Sequence, residues 1–232
     1  MNNLMRRSLV AVGLSLAVFS MVAGFRPVAA HAESSGQEVV QKSLLTVEKF
    51  LADRDYRSLH EQLGRAKGVL IVPGLLKAGF IFGAEFGNGV LLARDDTGKW
   101  SYPAFYTLGA GSLGFQAGVE SSEVMFLIMN QQGLEAVINH QVKLGADVSI
   151  AIGPVGAGAE ASTTTSLGAD IISYSKAVGL FGGAAFEGAV IGSRASWNEE
   201  YYGRPVTAET IVIEQLAQNP AADDLRKALD LR

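Results

Sequence analysis

The chain has 232 residues, of which 48% are hydrophobic and 18% charged, with no cysteine and a formal charge of −4. That length and apolar content suit one globular domain with a core of its own and exclude a largely disordered chain. The acidic balance argues against nucleic acid, whose binding is driven by neutralising phosphates, and the missing cysteines exclude disulfides and a lipid-modified terminal cysteine.

Arg6 and Arg7 precede an apolar run from Leu9 to Ala23 that closes on Ala30-His31-Ala32. A basic start, a short apolar run and a small-residue cleavage pattern predict a signal peptide over residues 1–32, cleaved near Ala32. The run is short and wrongly flanked for a membrane span. Cleavage removes Arg6, Arg7 and Arg26 and leaves a more acidic chain, secreted or periplasmic, that lacks cysteines to cross-link it.

The spacing of Val40, Leu44, Val47 and Leu51 predicts an amphipathic helix with Lys42, Glu48 and Lys49 on its other side. Helices that lie on membranes are strongly basic, whereas this one mixes signs and reads as a cover for the domain's own sheet. A second short helix starts at Asp55, carries Tyr56, Leu59 and Leu63, and closes at Gly64.

From Arg65 the texture changes. "AKGVLIV" is a β-branched burst stopped by Pro73-Gly74, followed by Gly79, Gly83 and Gly87 four apart. Pro73, Lys77 and Glu85 interrupt any membrane helix here, and neither G-x-G-x-x-G nor a lysine-ended P-loop is present. A sheet remains. Phe80, Phe82, Ala84 and Phe86 alternate with Gly79, Ile81, Gly83, Glu85 and Gly87, Asn88-Gly89 suits a tight hairpin turn, "VLLAR" returns, and "KWSYPAFYTL" follows a turn at Asp95 to Gly98. A row of glycines on one face implies something lying close against bare backbone: a helix, a coiled neighbouring strand or a ligand.

Glycine-punctuated stretches recur at Thr107 to Val119, Lys143 to Ser162 and Ala177 to Arg194, without a fixed period. "EVMFLIMN" is apolar on both alternations, as a strand covered on both faces is, and "QQGLEAVINH" reads as a short helix carrying Leu134, Val137 and Ile138. Thr207 caps a helix running through Leu216, and Asn219-Pro220 stops it and starts another with Leu225 and Leu229. The predicted fold is α+β: a strongly coiled antiparallel, glycine-rich sheet, barrel- or sandwich-like, packed by N- and C-terminal helices. Residues 33–218 form the single domain and 219–232 a helical tail.

Chemistry is sparse. His60 and His140 have no metal partner at helical spacing and no nucleophile motif beside them. Glu85, Glu120, Glu160 and Glu187 lie in or beside the glycine-rich strands, where two acids face to face would suit acid/base work or a hard cation. No catalytic residue, metal ligand or cofactor is predicted. Basic residues gather around "GVLIVPGLL" as Arg65, Lys67 and Lys77, a pattern that suits either an anionic lipid surface or an ordinary solvated rim.

The block from "AKGVLIVPGLL" to "GSLGFQAG", with "GADVSIAIGPVGAGAEA", "IISYSKAVGLFGGAAFEGAVI" and "VTAETIV" after it, resembles the SYLF domain over roughly Val39 to Gln218. The resemblance implies a lipid-binding module, for phosphoinositide or another anionic lipid, without catalytic residues. It maps headgroup contact onto the Val39 to Leu51 helix and onto Arg65, Lys67 and Lys77. Fungal members of that family are described as actin regulators. Here the leader places the chain, in a bacterial host, where actin is not an expected partner. The function expected is non-enzymatic binding of an anionic lipid or membrane surface, and the alternative is a structural envelope protein whose glycine face accepts a protein partner.

Overall fold

A computed structural model describes residues 35–79, 82–113, 118–139, 141–155, 168–177 and 186–231. The chain divides into units 1–32 and 33–232, and the second holds all of the described residues. The predicted leader and His140 lie outside them.

Helix α1 (Ser35–Ala52) and α2 (Arg57–Arg65) precede a four-strand meander, β1 (Gly68–Gly79), β2 (Phe82–Ala93), β3 (Ala104–Leu113) and β4 (Gly118–Ile128). Helix α3 (Gln131–Asn139) leads to β5 (Val142–Lys143), β6 (Ile150–Ile152), β7 (Ile171–Ala177) and β8 (Val190–Ser193). Helices α4 (Ala195–Tyr202), α5 (Ala208–Val212) and α6 (Asp223–Leu229) close the chain. The strands form one curled eight-stranded sheet in the order β5-β8-β3-β2-β1-β4-β7-β6, antiparallel throughout except for the parallel pair β6–β7.

Both faces of the sheet are buried over the half nearest Gly68. On one face Leu70, Leu91, Tyr106 and Phe126 pack with Leu134 and Val137 of α3 and with Ile211 of α5. On the other, Val69, Val90, Phe105 and Met125 pack under Val40, Val47 and Phe50 of α1, Leu59 and Leu63 of α2, and Leu225 and Leu229 of α6. This double cover is why Val124 to Ile128 are apolar on both alternations. Helix α1 is thus a cover for the domain's own sheet.

Two turn signals resolve differently from the sequence reading. Strand β1 runs through Pro73-Gly74, which form a bulge where the β1–β2 register shifts between Ile71 and Leu75. Asn88-Gly89 lies inside β2 rather than at a turn, because Gly79 pairs with Gly83 and the chain has already reversed. The Asn88 carboxamide oxygen instead accepts from Thr107 Oγ1 (2.9 Å) and from Arg194 Nη1 (2.8 Å), bonds that a hairpin tip in solvent does not offer. A side chain at Gly89 would collide with the Ile71 carbonyl oxygen beside the bulge, so the close neighbour implied by this glycine is β1 itself.

At the C-terminus Thr207 caps α5 by accepting from Thr210 N, but the helix ends at Val212, well short of Leu216, where Gln215 takes a positive φ of 53°. Asn219 caps the short 3-10 turn before α6. Helix α4 was not foreseen: its buried Asn198 and Tyr201 are polar or amphipathic and give no apolar stripe.

Candidate functional site

Strand β1 serves as a ruler for the predicted lipid-binding residues. Arg65 ends α2 and Lys67 precedes β1, both exposed. The Lys67 backbone donates to Ile128 O (2.8 Å) and accepts from Arg94 N (2.8 Å), so its position is fixed while its side chain reaches solvent. Lys77 lies ten residues further along, roughly 30 Å away at strand rise. The structure therefore brings Arg65 and Lys67 to one end of the sheet and leaves Lys77 at the other.

Around the first end the turn from Asp95 to Lys99 adds another exposed cation, Lys99. Asp95 Oδ1 accepts from Thr97 Oγ1 (2.7 Å), Thr97 N (2.8 Å) and Lys99 N (2.9 Å), and the Thr97 hydroxyl bond leads in holding its carboxyl below the usual range. Arg94 is occupied by the fold. It donates to Gly64 O (2.6 Å) and Leu63 O (3.0 Å) at the end of α2 and lies 4.4 Å from the Trp100 ring centroid.

At the far end Lys77 pairs across strands with Glu85 on β2 and with Glu120 on β4. Its ammonium meets Glu85 Oε1 at 2.9 Å, and Glu85 is only 9% exposed against 48% for Lys77. Two of the four singled-out acids thus stand on the strands either side of one lysine, about 10 Å apart at the backbone, and the lysine's ion pair is with Glu85. Glu160 lies outside the described residues, and Glu187 sits exposed before β8, beside Gly145. His60 Nε2 meets Leu51 O at 2.9 Å, joining α2 to α1. Among the described residues no three His, Cys, Asp or Glu side chains are placed to hold a metal ion.

A third surface was not singled out in the sequence. Beyond α1 no described helix covers the sheet face, and the cross-strand row Lys143–Val190–Gly109–Phe86–Leu76–Ser121 runs over it. Phe86 is 53% exposed, Leu76 50% and Val190 37%. The strand alternation had placed Phe86 and Ala84 on a common face; what it lacked was how far α1 would reach.

Among known proteins, the family model Ysc84, described as "Las17-binding protein actin regulator", matches residues 109–231. "LAS seventeen-binding protein 3" of Saccharomyces cerevisiae is 36% identical over 173 residues, 73% of this chain and 38% of the yeast protein. "Protein YSC84" of the same yeast is 35% identical over 173 residues, and the human "SH3 domain-containing YSC84-like protein 1" is 30% identical over 169 residues, 72% of this chain and 49% of the human one. The chain thus spans less than half the length of these relatives. The family description names binding and actin regulation, the first relative is named for binding, and none of the three names states an enzymatic activity. The expectation that actin is not a partner is overturned, since it rested on the leader alone and the matching family is itself described as an actin regulator. The chain belongs to the Ysc84 family, the one to which its SYLF-like blocks pointed.

Proposed function

We propose that this chain is a non-catalytic docking domain that meets an anionic membrane surface with the Arg65 and Lys67 end of its sheet. The observation that carries the reading is the exposed cation group Arg65, Lys67 and Lys99 at one end of an otherwise acidic chain. Each cation held near such a surface contributes about 1 kcal/mol, so two account for a roughly 30-fold change in partitioning. In this reading Lys77 belongs to the fold through Glu85, and the far end of β1 stays away from the headgroups. Co-sedimentation with vesicles containing phosphatidylserine tests it: the Arg65→Gln/Lys67→Gln pair should lose about 30-fold in binding and Lys77→Gln little. Equal binding to neutral vesicles, or equal loss in both variants, overturns the proposal.

A second reading follows from the names of the relatives: a filament or assembly protein of the actin system is the candidate partner, with the membrane surface as the place of meeting. Co-sedimentation of the chain with actin filaments checks it, and absence of the chain from the filament pellet at tens of micromolar actin removes it. Export after cleavage near Ala32 is a separate proposal resting on the leader sequence. N-terminal sequencing of the cell product checks it, and a product that retains Met1 overturns it.

A further inference from the structure

The chain passes the start of β3 twice. It leaves α4 at Gly203 for the face covered by α5, where Val206 and Ile211 are buried, and returns by Asn219 to the α1 face, where Ala222 is buried. The Tyr202 hydroxyl donates to Pro103 O (2.8 Å) just ahead of β3, and Asn219 Nδ2 donates to Tyr201 O (3.0 Å), so both crossings lie beside that strand end. Between them Val212 and Ala217 are buried, while Ile213 is 45% and Leu216 66% exposed. Two aliphatic side chains thus stand out of the fold on a short tip.

Polar bonds hold this tip in one shape. Ile213 N and Glu214 N both donate to Glu209 O (2.9 and 3.1 Å), Leu216 N donates to Thr210 O (3.1 Å), and Leu216 O accepts from Arg204 Nη2 (2.7 Å). Gln215, a residue with a side chain at a φ of 53°, makes the reversal, a strain that persists only where its surroundings fix it. Backbone groups already bonded within the tip are not left unsatisfied when water is withdrawn, so the tip can enter an apolar layer.

The tip lies at the end of the sheet that carries the cations. Lys99 is four residues before Pro103, within about 13 Å at strand rise. Lys67 O accepts from Arg94 N, and Arg94 bridges to Trp100, so Lys67 and Lys99 are set at the same level of the sheet. Among the described residues none of Arg65, Lys67 and Lys99 has an ion-pair partner, whereas Lys42, Lys49, Lys77 and Lys176 each have one. Leu231, 41% exposed, adds an aliphatic side chain two residues after Leu229, whose carbonyl accepts from Trp100 Nε1. Residues 80–81 and 114–117 join strands at the opposite end of the meander, and residues 186–231 are described without a break.

We propose that Ile213 and Leu216 form an aliphatic anchor that enters the acyl boundary of an anionic bilayer whose headgroups meet Arg65, Lys67 and Lys99. The inference rests on the membrane reading above and adds to it an apolar contribution that salt does not screen. A protruding tip with unpaired cations set around it matches a deformable, negatively charged layer, which takes in an isolated side chain without a preformed pocket. Glu214, exposed on the tip itself, works against that surface.

The chain has no cysteine, so Leu216→Cys gives a single labelling site. With a nitrobenzoxadiazole dye there, the full chain should show blue-shifted emission on phosphatidylserine-containing vesicles, quenched by lipids doxyl-labelled near the top of the acyl chain. The same dye at Leu76→Cys, exposed beside Lys77, should stay in water. Leu216→Ala should weaken vesicle binding about tenfold, by the same factor at low and high salt, and Ile213→Ala severalfold. Both side chains are exposed, so Tm should shift by no more than a few degrees. Glu214→Gln should strengthen binding about fivefold. A Leu216 dye that stays in water on vesicles the chain does bind overturns this proposal and leaves the cation reading standing. A dye that shifts equally on neutral vesicles keeps the anchor and overturns the cation reading, and absence of binding to either vesicle overturns both. Undiminished binding of the Ile213→Ala/Leu216→Ala pair overturns the anchor. So does a blue shift without vesicles that grows with protein concentration, which would make a second copy the occupant.

Discussion

Gly89 and Gly109 look alike in the sequence and serve opposite ends. A Cβ at Gly89 would strike the Ile71 carbonyl oxygen and the Val72 side chain, fixed backbone and a packed branch that cannot give way. Gly89→Ala should therefore destabilise the chain by about 2–3 kcal/mol in urea denaturation, while Gly109→Ala, with open space before it, should stay within about 0.5 kcal/mol. A measured loss that is the same at both positions would refute the assignment of Gly89 to the bulge. Strand alternation showed which glycines share a face. It was blind to the bulge, since Pro73-Gly74 reads as a stop signal when the partner strand is unknown. The same limit applies to Lys77, which looks like one of three surface cations until β2 is paired against it. Lys77→Met leaves Glu85 9% exposed without its 2.9 Å partner and should cost about 1–3 kcal/mol, and adding Glu85→Gln should recover part of that loss. Additive losses would mean the two side chains do not act as a pair.

At the scale of elements, the helices were read most completely where apolar spacing and caps agreed. Leu59 and Leu63 of α2, Leu134 and Val137 of α3, and Leu225 and Leu229 of α6 are all buried as their periodicity required. Helix α4 escaped because it is held by polar contacts, such as Asn198 Oδ1 accepting from Phe105 N at 2.8 Å, which leave no apolar stripe. The last helix is a latch. Trp100 Nε1 donates to Leu229 O (3.0 Å), Arg226 Nε to Trp100 O (2.9 Å) and Tyr102 OH to Asp223 Oδ1 (2.8 Å), over two fully buried leucines. Leu225→Ala should cost about 2–5 kcal/mol by thermal or chemical denaturation, and a loss below 1 kcal/mol would show that α6 is a detachable tail. Asp170 ties three other elements together. Its carboxylate accepts from Asn130 Nδ2 (2.7 Å) before α3 and from Ser149 N (2.8 Å) and Oγ (2.7 Å) before β6, one residue ahead of β7. Burial alone would raise this carboxyl, and these hydrogen bonds overcome that and hold it below its ordinary value of 3.8. A folded pKa lower than the unfolded one contributes stability that is complete above the unfolded value and disappears as pH falls through the folded one. Asp170→Asn should therefore flatten the stability loss between roughly pH 5 and 2, and an unchanged acid limb would exclude Asp170 from it.

For the molecule as a whole, the sheet, its helical covers and the family were legible because each is written in many residues at once. The sites were not, because they depend on which side chains the topology brings together. Arg65 and Lys67 stay neighbours in space as in sequence, while strand length alone separates Lys77 from them by roughly 30 Å. In the proposed reading the domain is polarised, with Arg65, Lys67 and Lys99 at the start of β1 turned to the membrane and the Lys77–Glu85 pair at the far end away from it. Paramagnetic broadening of backbone amides by a spin label on the vesicle headgroup measures that polarity directly. The account predicts strong broadening at Arg65, Lys67 and Lys99 and little at Lys77, Glu85 and Glu120. Broadening centred on the Lys77 end, or spread evenly over β1, would contradict it.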